Sequence, residues 1–296
     1  MLFGALEAGG TKMVMAVGDE KGNILEQKSL PTLTPEETVP ELLSYFSKKE
    51  ICALGIGAFG PVDVNPQSKS FGHILDTPKL AWKNYNLYGA FQEKLGIPIG
   101  FDTDVNSSCL GEITFGQAGN LNSVVYLTIG TGIGAGIYVN GKLLHGMLHP
   151  EGGHIMITRH PEDSFEGCCP YHGGCLEGMA AGPAIEKRWG KRAAELEQES
   201  AVWELEAYYI AQALTNYILI LSPEKIILGG GVMHQKQLFP LIREQVKKML
   251  NGYINTKEIS SLDQYIVPAS LKDNQGILGC LQLAKLEYEQ QVKYVQ

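Results

Sequence analysis

The sequence predicts a mixed α/β protein with two lobes and a cleft between them. A strand, a short Gly/Thr turn and a returning strand open the chain at residues 2–17, and the same plan recurs at residues 123–139. Both are followed by helical patterns and short apolar runs, an alternation typical of mixed sheets covered by helices. Ligands of such sheets bind at the strand ends, where the glycine turns fall.

The composition indicates a folded protein and disfavours nucleic-acid and membrane partners. The chain has 296 residues, of which 44% are apolar and 19% charged, so it can bury a core and is neither disordered nor fibrous. The net charge of −8 disfavours nucleic acid as a partner. Residues 124–139 are too short and too glycine-rich to span a membrane, and the N-terminus lacks a secretory pattern. We therefore expect a cytoplasmic protein with no membrane or nucleic-acid partner.

The first half of the chain reads as alternating strands and helices. Pro35-Glu36-Glu37 is a typical helix start, and apolar residues then recur on one helical face. The predicted strands are 2–8, 12–17, 24–30, 51–57 and 97–101, and the predicted helices are 35–49, 88–95 and 105–116. We place the boundary of a smaller N-terminal lobe, 1–117, after this last helix.

The second half restarts the plan at residue 123. Its predicted strands are 123–129, 135–139, 225–229 and 264–268, and its predicted helices are 183–197, 201–221, 237–250 and 275–291. We expect a larger lobe over 118–274 that includes a cysteine- and histidine-rich loop at 151–177. The final helix, about 275–291, can pack back on the first lobe.

Three glycine turns follow apolar strands and can bring backbone close to a ligand. They are Gly9-Gly10-Thr11-Lys12, Gly130–Gly136 and Gly229-Gly230-Gly231. Taken singly, the first and third are equally compatible with ordinary turns. The second matches the dinucleotide pattern, but that pattern opens a helix, whereas here a strand follows. A strand–turn–strand phosphate loop with Thr131 as hydroxyl donor fits better.

A carboxylate motif, Asp102-Thr103-Asp104-Val105-Asn106, stands at the end of a predicted strand. Carboxylates at a strand end suit a general base or a metal ligand. An ordinary N-cap of the following helix is the alternative, because Asp and Asn favour that position.

The densest motif combines His154 with a Cys/His cluster that ends at Cys175. Two thiolates and two imidazoles at this spacing suit tetrahedral zinc, and four protein ligands indicate a closed, structural site. We choose His154, Cys169, His172 and Cys175 as the ligands, because a turn led by Pro170 spaces 169, 172 and 175 evenly. Cys168 competes with Cys169 for one position, and reduced thiols packed by chance are the alternative to any metal.

Taken together, these motifs resemble the ROK family (repressor, ORF, kinase) over essentially the whole chain and in the family's order. The motifs are Gly9-Gly10-Thr11-Lys12, Asp104-x-Asn106, Gly130–Gly136, Glu151-x-Gly153-His154, Cys175-Leu176-Glu177 and Gly229-Gly230-Gly231. The form Cys169-Pro-x-His172-Gly-x-Cys175 is similar to that of zinc-containing bacterial fructokinases.

The resemblance implies a two-lobed actin-like ATPase (ribonuclease H-like) fold and transfer of phosphate from ATP to the 6-hydroxyl of a hexose, D-fructose first. It assigns the catalytic base to Asp104 and further sugar contacts to Glu151, His154 and Glu177. The implied cofactors are ATP, Mg²⁺ and structural Zn²⁺, and the implied assembly is a homodimer. The residues implied in nucleotide binding are Gly10, Thr11, Lys12, Thr131, Gly132, Pro183, Gly229 and Gly230.

Two positions depart from the family pattern. Glu7 stands where the family's first turn often has Asp, which questions a Mg²⁺ role for this residue. Thr103 stands where glucokinase-like members usually have Asn, and its shorter side chain argues against strict glucose preference. Glucose, mannose and N-acetylmannosamine stay open as substrates. A sugar-responsive transcriptional regulator is disfavoured, because the first strand begins at residue 2 and the chain is acidic.

Overall fold

A computed structural model describes residues 1–295 and divides the chain into two compact units. The first unit comprises Met1–Gly119, Leu143–Pro150 and the C-terminal segment from Ser270. The second unit comprises Asn120–Lys142 and Glu151–Ala269. The short segment Leu143–Pro150 thus belongs to the first unit although both flanking stretches belong to the second, a departure from the division expected from sequence.

The elements alternate along the chain. The strands are β1 (Leu2–Ala8), β2 (Lys12–Asp19), β3 (Ile24–Pro31), β4 (Leu54–Ala58), β5 (Ile99–Thr103), β6 (Ser123–Ile129), β7 (Ile133–Val139), β8 (Lys142–Leu143), β9 (Lys225–Gly229) and β10 (Ile266–Pro268). The α-helices are α1 (Pro35–Phe46), α2 (Leu87–Leu95), α3 (Asp104–Thr114), α4 (Leu176–Ala180), α5 (Gly182–Trp189), α6 (Ser200–Leu221), α7 (Leu238–Leu250), α8 (Lys257–Ser260), α9 (Leu262–Tyr265) and α10 (Gln275–Val295).

The first sheet has the order β3-β2-β1-β4-β5. β1 pairs antiparallel with β2 and parallel with β4, and β4 pairs parallel with β5. Its parallel strands all end at the edge that carries the first glycine turn and the start of α3. The sheet therefore brings two sequence motifs to one edge.

Both faces of the first sheet are buried at β1, which explains the nearly continuous apolar run of this strand. Phe3 and Ala5 pack in one cluster with α10, whereas Leu6 and Ala8 pack in another with α1 and α2. Gly55 in β4 permits the close approach of α10, because a Cβ there would lie 1.8 Å from the carbonyl oxygen of Cys280.

The second sheet repeats the first. Its order is β10-β9-β6-β7-β8, the same arrangement read from the other edge, with β6 antiparallel to β7 and parallel to β9. One cluster forms its core, in which strand residues such as Leu127 pack with Ile210 and Leu214 of α6. The predicted duplication of mixed sheets with helices is present in the structure.

Two predicted elements end differently. The helix expected over 183–197 stops at Trp189, because Gly190 adopts a left-handed conformation with φ of 70° and caps it. The first residues of the strand expected at 264–268 complete the short helix α9. Within the described residues, no helix has the length and apolarity needed to cross a bilayer.

Candidate active site and metal centre

Asp104 is the first residue of α3 and directly follows β5. Thr103 is the N-cap, and its side-chain oxygen accepts a hydrogen bond from the N–H of Asn106 at 3.0 Å. The half-buried carboxylate of Asp104 accepts one from the N–H of Val105 at 2.9 Å. The N-cap role thus falls on Thr103, and Asp104 stands in the first helical turn, where the helix dipole favours a negative charge.

Asp102 is buried beneath this turn, with 3% of its surface exposed. One carboxylate oxygen accepts hydrogen bonds from the N–H of Thr103 and from Nδ2 of Asn106, both at 2.7 Å. The other oxygen lies 2.8 Å from Nε2 of His145. This hydrogen bond raises the pKa of His145, although partial burial of the ring opposes the increase. Sequence analysis missed His145, since 43 residues separate the partners and no local pattern links them.

The first glycine turn joins β1 to β2. The N–H of Gly9 donates to the carbonyl oxygen of Lys12 at 3.1 Å and closes the turn. Thr11 and Lys12 are exposed, and Gly10 is half-buried. The turn therefore presents a hydroxyl and an ammonium group to solvent, as contact with an anionic ligand requires.

Glu7 lies on β1 just before this turn. Burial raises the pKa of its carboxyl, Lys12 partly opposes the increase, and Asp273 adds to it. The carboxyl packs against the start of α10, where a Cβ on Gly276 would lie 2.5 Å from it. Glu7 is thus a confined carboxyl whose ionised form is disfavoured by burial and only partly stabilised by Lys12.

The second turn joins β6 to β7. The N–H of Gly130 donates to the carbonyl oxygen of Gly132 at 2.9 Å, and the chain then enters a strand. The strand–turn–strand prediction is confirmed, and a dinucleotide turn opening a helix is excluded. Thr131 is exposed at the tip.

Two other glycine segments contact this second turn. The N–H of Gly182, just before Pro183, donates to the carbonyl oxygen of Gly130 at 2.8 Å. Gly230 has a φ of 89°, and a Cβ there would lie 2.4 Å from the carbonyl oxygen of Ile129. Three motifs that are far apart in sequence therefore meet in the second unit.

The four predicted metal ligands also meet in the second unit. One ligand atom from each of His154, Cys169, His172 and Cys175 lies within 4.8 Å of the others. The Sγ of Cys169 lies 3.7 Å from Nδ1 of both histidines, and the Sγ of Cys175 lies 3.5 Å from Nδ1 of His154.

A tight loop explains why Cys169 rather than Cys168 belongs to this group. Cys169 and Gly173 exchange backbone hydrogen bonds of 3.2 and 3.0 Å, which folds the chain back between them. Burial raises the pKa of the Cys175 thiol to about 11, and Cys169 contributes further. A thiolate at Cys175 therefore needs a nearby cation, which a bound metal ion would supply.

The three predicted sugar contacts of the second unit lie beside the metal ligands. Glu151 precedes a 3₁₀ turn, Gly152–His154, and its carbonyl oxygen accepts the N–H of His154 at 3.0 Å. Oε1 of Glu177 lies 3.9 Å from Nε2 of His154. Oε2 of Glu177 accepts the N–H of Ile133 at 2.9 Å, which ties this carboxylate to the second glycine turn.

The carboxyl of Glu151 has a raised pKa, which is unusual for an exposed residue. Surrounding protein atoms desolvate the group, and Glu177 adds a second negative charge nearby. Together they raise the pKa of Glu151 to about 7. A carboxyl whose pKa is near neutrality is typical of a functional site rather than of a solvated surface.

A buried ion pair, missed by sequence analysis, anchors the loop that carries the predicted metal ligands. Arg188 of α5 lies 3.1 Å from Asp163 and donates to the carbonyl oxygen of Met179 at 2.9 Å. The hydroxyl of Tyr209 donates to Asp163 at 2.6 Å. Helices α5 and α6 thus hold this loop in place.

Comparison with known proteins identifies the family. A family model described as ROK matches residues 3–287. A Bacillus subtilis protein is 54% identical over 284 residues, which cover 96% of this chain and 95% of that protein. A fructokinase of Pediococcus pentosaceus is 46% identical over 285 residues, covering 96% of this chain and 98% of that enzyme.

Solved structures match the fold as well. The crystal structure of a hexokinase from Thermus thermophilus superimposes with a TM-score of 0.81 at 25% identity, covering 98% of this chain and 100% of that one. The expected actin-like ATPase fold is therefore confirmed.

Proposed function

The chain belongs to the ROK family, and from this premise we propose that it is an ATP-dependent fructokinase that forms fructose 6-phosphate. The observation that carries the proposal is the 46% identity to a fructokinase over nearly the full length of both chains. Identity at this level over whole chains makes the same reaction the expected one.

Asp104 acts as general base in this proposal. It takes the proton of the fructose 6-hydroxyl as the sugar oxygen forms a bond to the γ-phosphorus of ATP. The bond between that phosphorus and the β,γ-bridging oxygen breaks, and ADP leaves. Phosphoryl transfer asks little covalent chemistry of the protein, so positioning and charge stabilisation dominate. The place of Asp104 at a helix start, with its N-cap supplied by Thr103, supports the assignment.

The glycine turns hold the nucleotide. Thr11 and Lys12, with Gly10, contact phosphate from the first turn, and Thr131 and Gly132 do so from the second. The adenosine lies along Pro183, Gly229 and Gly230. This assignment is supported by the exposure of Thr11, Lys12 and Thr131 and by the contacts of Gly182 and Gly230 with the second turn.

The sugar is oriented by Glu151, His154 and Glu177. Carboxylates accept hydrogen bonds from sugar hydroxyls, and an imidazole nitrogen can donate or accept one. Glu177 has a second task, because its bond to Ile133 couples the sugar contacts to the second turn. Thr103 stands where glucokinase-like members usually have Asn, which argues against a strict glucose preference and is compatible with fructose.

Structural zinc fits the cluster of His154, Cys169, His172 and Cys175. Ligands at about 2.0–2.3 Å from a tetrahedral zinc lie about 3.3–3.8 Å from one another. The three sulfur–nitrogen separations of 3.5, 3.7 and 3.7 Å fall in this range. When bound, zinc ties His154 to the 169–175 loop and so holds Glu151 and Glu177 in position.

Mg²⁺ enters with the nucleotide in this proposal. When bound, such an ion would supply positive charge to the phosphates, and because Mg²⁺ usually retains several waters it would need few protein ligands. The raised pKa of the buried Glu7 carboxyl disfavours the anion that a Mg²⁺ ligand must present, which agrees with the doubt that the departure from Asp at this position casts on such a role. We further propose a cytoplasmic homodimer, which light scattering of the purified protein would test.

A coupled assay of ATP consumption tests the proposed reaction. Fructose, glucose, mannose and N-acetylmannosamine are compared at matched concentrations, and ³¹P NMR identifies the product. We expect the highest kcat/KM with fructose and a 6-phosphate product. A higher kcat/KM with another hexose would make that sugar the preferred substrate. If none of the four sugars is phosphorylated with ATP, the proposal is refuted.

A further inference from the structure

We propose that His145 is a positioning residue for Asp104, which acts by holding Asp102 and thereby the junction between β5 and α3. The inference rests on the proposed function, because it takes Asp104 to be the base. It adds a residue that neither the motifs nor the sequence spacing identified.

The residues on either side of Asp104 are joined by several polar contacts. Asp102 accepts the N–H of Thr103 and Nδ2 of Asn106 on one oxygen, and Thr103 caps the N–H of Asn106. These contacts are local and come from the same turn. The long-range hydrogen bond described for the Asp102 carboxylate comes from His145, whose Nε2 lies 2.8 Å from its second oxygen.

The segment Leu143–Pro150 supplies His145. This segment joins the first unit, and two histidines fasten it there. His145 contacts Asp102, and Nε2 of His149 accepts the N–H of Val62 at 3.1 Å. The next residue along the chain is Glu151, a proposed sugar contact. One segment therefore braces the base-bearing junction and leads directly into the sugar-binding residues.

Burial makes the junction sensitive to loss of His145. The Asp102 side chain is 4% exposed, whereas 38% of the His145 side chain is exposed. Within the described residues, Oδ1 of Asn106 is buried and already lacks a hydrogen-bond partner. Without His145, a buried carboxylate oxygen loses its donor as well, and Asp102 has to turn toward water. The first turn of α3, and Asp104 with it, would shift.

Steady-state kinetics of His145→Ala and His145→Gln test the proposal. A displacement of about 1 Å at a reacting group can cost on the order of 10²-fold in rate. We expect His145→Ala to lower kcat by about 10- to 100-fold while both KM values change less than about threefold. Gln can donate to Asp102, so His145→Gln should regain most of kcat. His73→Gln is the matched control and should keep the wild-type kcat, since the described interactions of the His73 ring are with the Phe71 carbonyl at 3.4 Å and with the Asp63 carboxylate, neither of which is a proposed site residue.

Three kinetic results would overturn the proposal. His145→Ala could keep the wild-type kcat, or His145→Gln could be as slow as His145→Ala. A higher KM for fructose with unchanged kcat would instead make His145 a direct sugar contact.

NMR titration of the His145 ring separates this proposal from the proposed function. We expect an elevated pKa in the wild type and a lower one in Asp102→Asn, because the carboxylate is lost. Equal pKa values in the two proteins would show that His145 and Asp102 do not pair. That result would refute this proposal without affecting the proposed function. A wild type that phosphorylates no hexose would instead refute the proposed function, and this inference with it.

Discussion

The surroundings of two carboxyl groups in the candidate site have opposite effects on the charged form. Asp104 stands in the first turn of α3, where the helix dipole favours its anion. Glu151 is desolvated and lies near Glu177, so its pKa is raised to about 7. The first group therefore stands where a negative charge is favoured, and the second changes charge near neutral pH.

Sugar affinity should depend on pH through Glu151. A raised pKa means that the carboxylate, the form that would accept hydrogen bonds from sugar hydroxyls in the proposed site, is lost as pH falls through about 7. We expect the KM for fructose at saturating MgATP to rise up to about tenfold per pH unit below that value. A zinc ion held by two thiolates would add no net charge near Glu151. Its presence should therefore change the pH dependence of this KM little.

The Glu151→Gln variant provides the control for this pH dependence. Its amide does not titrate. The KM of this variant for fructose should therefore be higher than that of the wild type and should not change with pH between about 5.5 and 8. A wild-type slope that persists in Glu151→Gln would assign the dependence to another group.

At the scale of elements, the loop before α4 brings Cys169, His172 and Cys175 close to one another in space. Cys169 and Gly173 pair through their backbones, and this turn directs Cys169, His172 and Cys175 toward His154. The ion pair between Arg188 and Asp163 anchors the same loop to α5. Loop geometry and donor chemistry therefore support each other.

Cysteine substitutions test the metal centre, because the chain contains a matched pair of neighbours. Cys169→Ser should lose bound zinc and lower Tm by about 5 °C or more, since metal bound only by the folded state stabilises it. Cys168→Ser should retain zinc, because Cys168 is outside the group of four. Zinc per chain and Tm are measured with and without chelator.

Two outcomes of this experiment would contradict the assignment. Equal zinc loss in both variants would remove the distinction between the two cysteines. A wild-type protein that binds no zinc at all would show that the four donors are packed as a reduced cluster.

At the scale of the whole molecule, duplication made most of the architecture predictable. The strand–turn–strand openings at residues 2–17 and 123–139 became β1-β2 and β6-β7, each next to a parallel strand. The clustering of His154, Cys169, His172 and Cys175 was also predictable, because their close spacing in the sequence already restricts their distance in space.

What sequence could not predict depends on contacts between distant segments. His145 and Asp102 are 43 residues apart, and neither has a local pattern that selects the other. Arg188 and Asp163 likewise pair across a loop. The early end of α5 was missed because Gly190 inside a helical pattern can be tolerated or can cap, and only the fold decides between them.

The rate of fructose phosphorylation by Asp104→Asn tests the central claim most directly. A general base typically contributes about 10²- to 10⁴-fold, so we expect kcat to fall by that factor. The Kd of a non-hydrolysable ATP analogue should stay within about threefold of the wild type, a free-energy change well under about 1 kcal/mol. Asp76→Asn, at an exposed carboxylate paired with Lys83, is the control and should keep full activity. A kcat for Asp104→Asn within about tenfold of wild type would contradict the account, because this side chain could not then be the base.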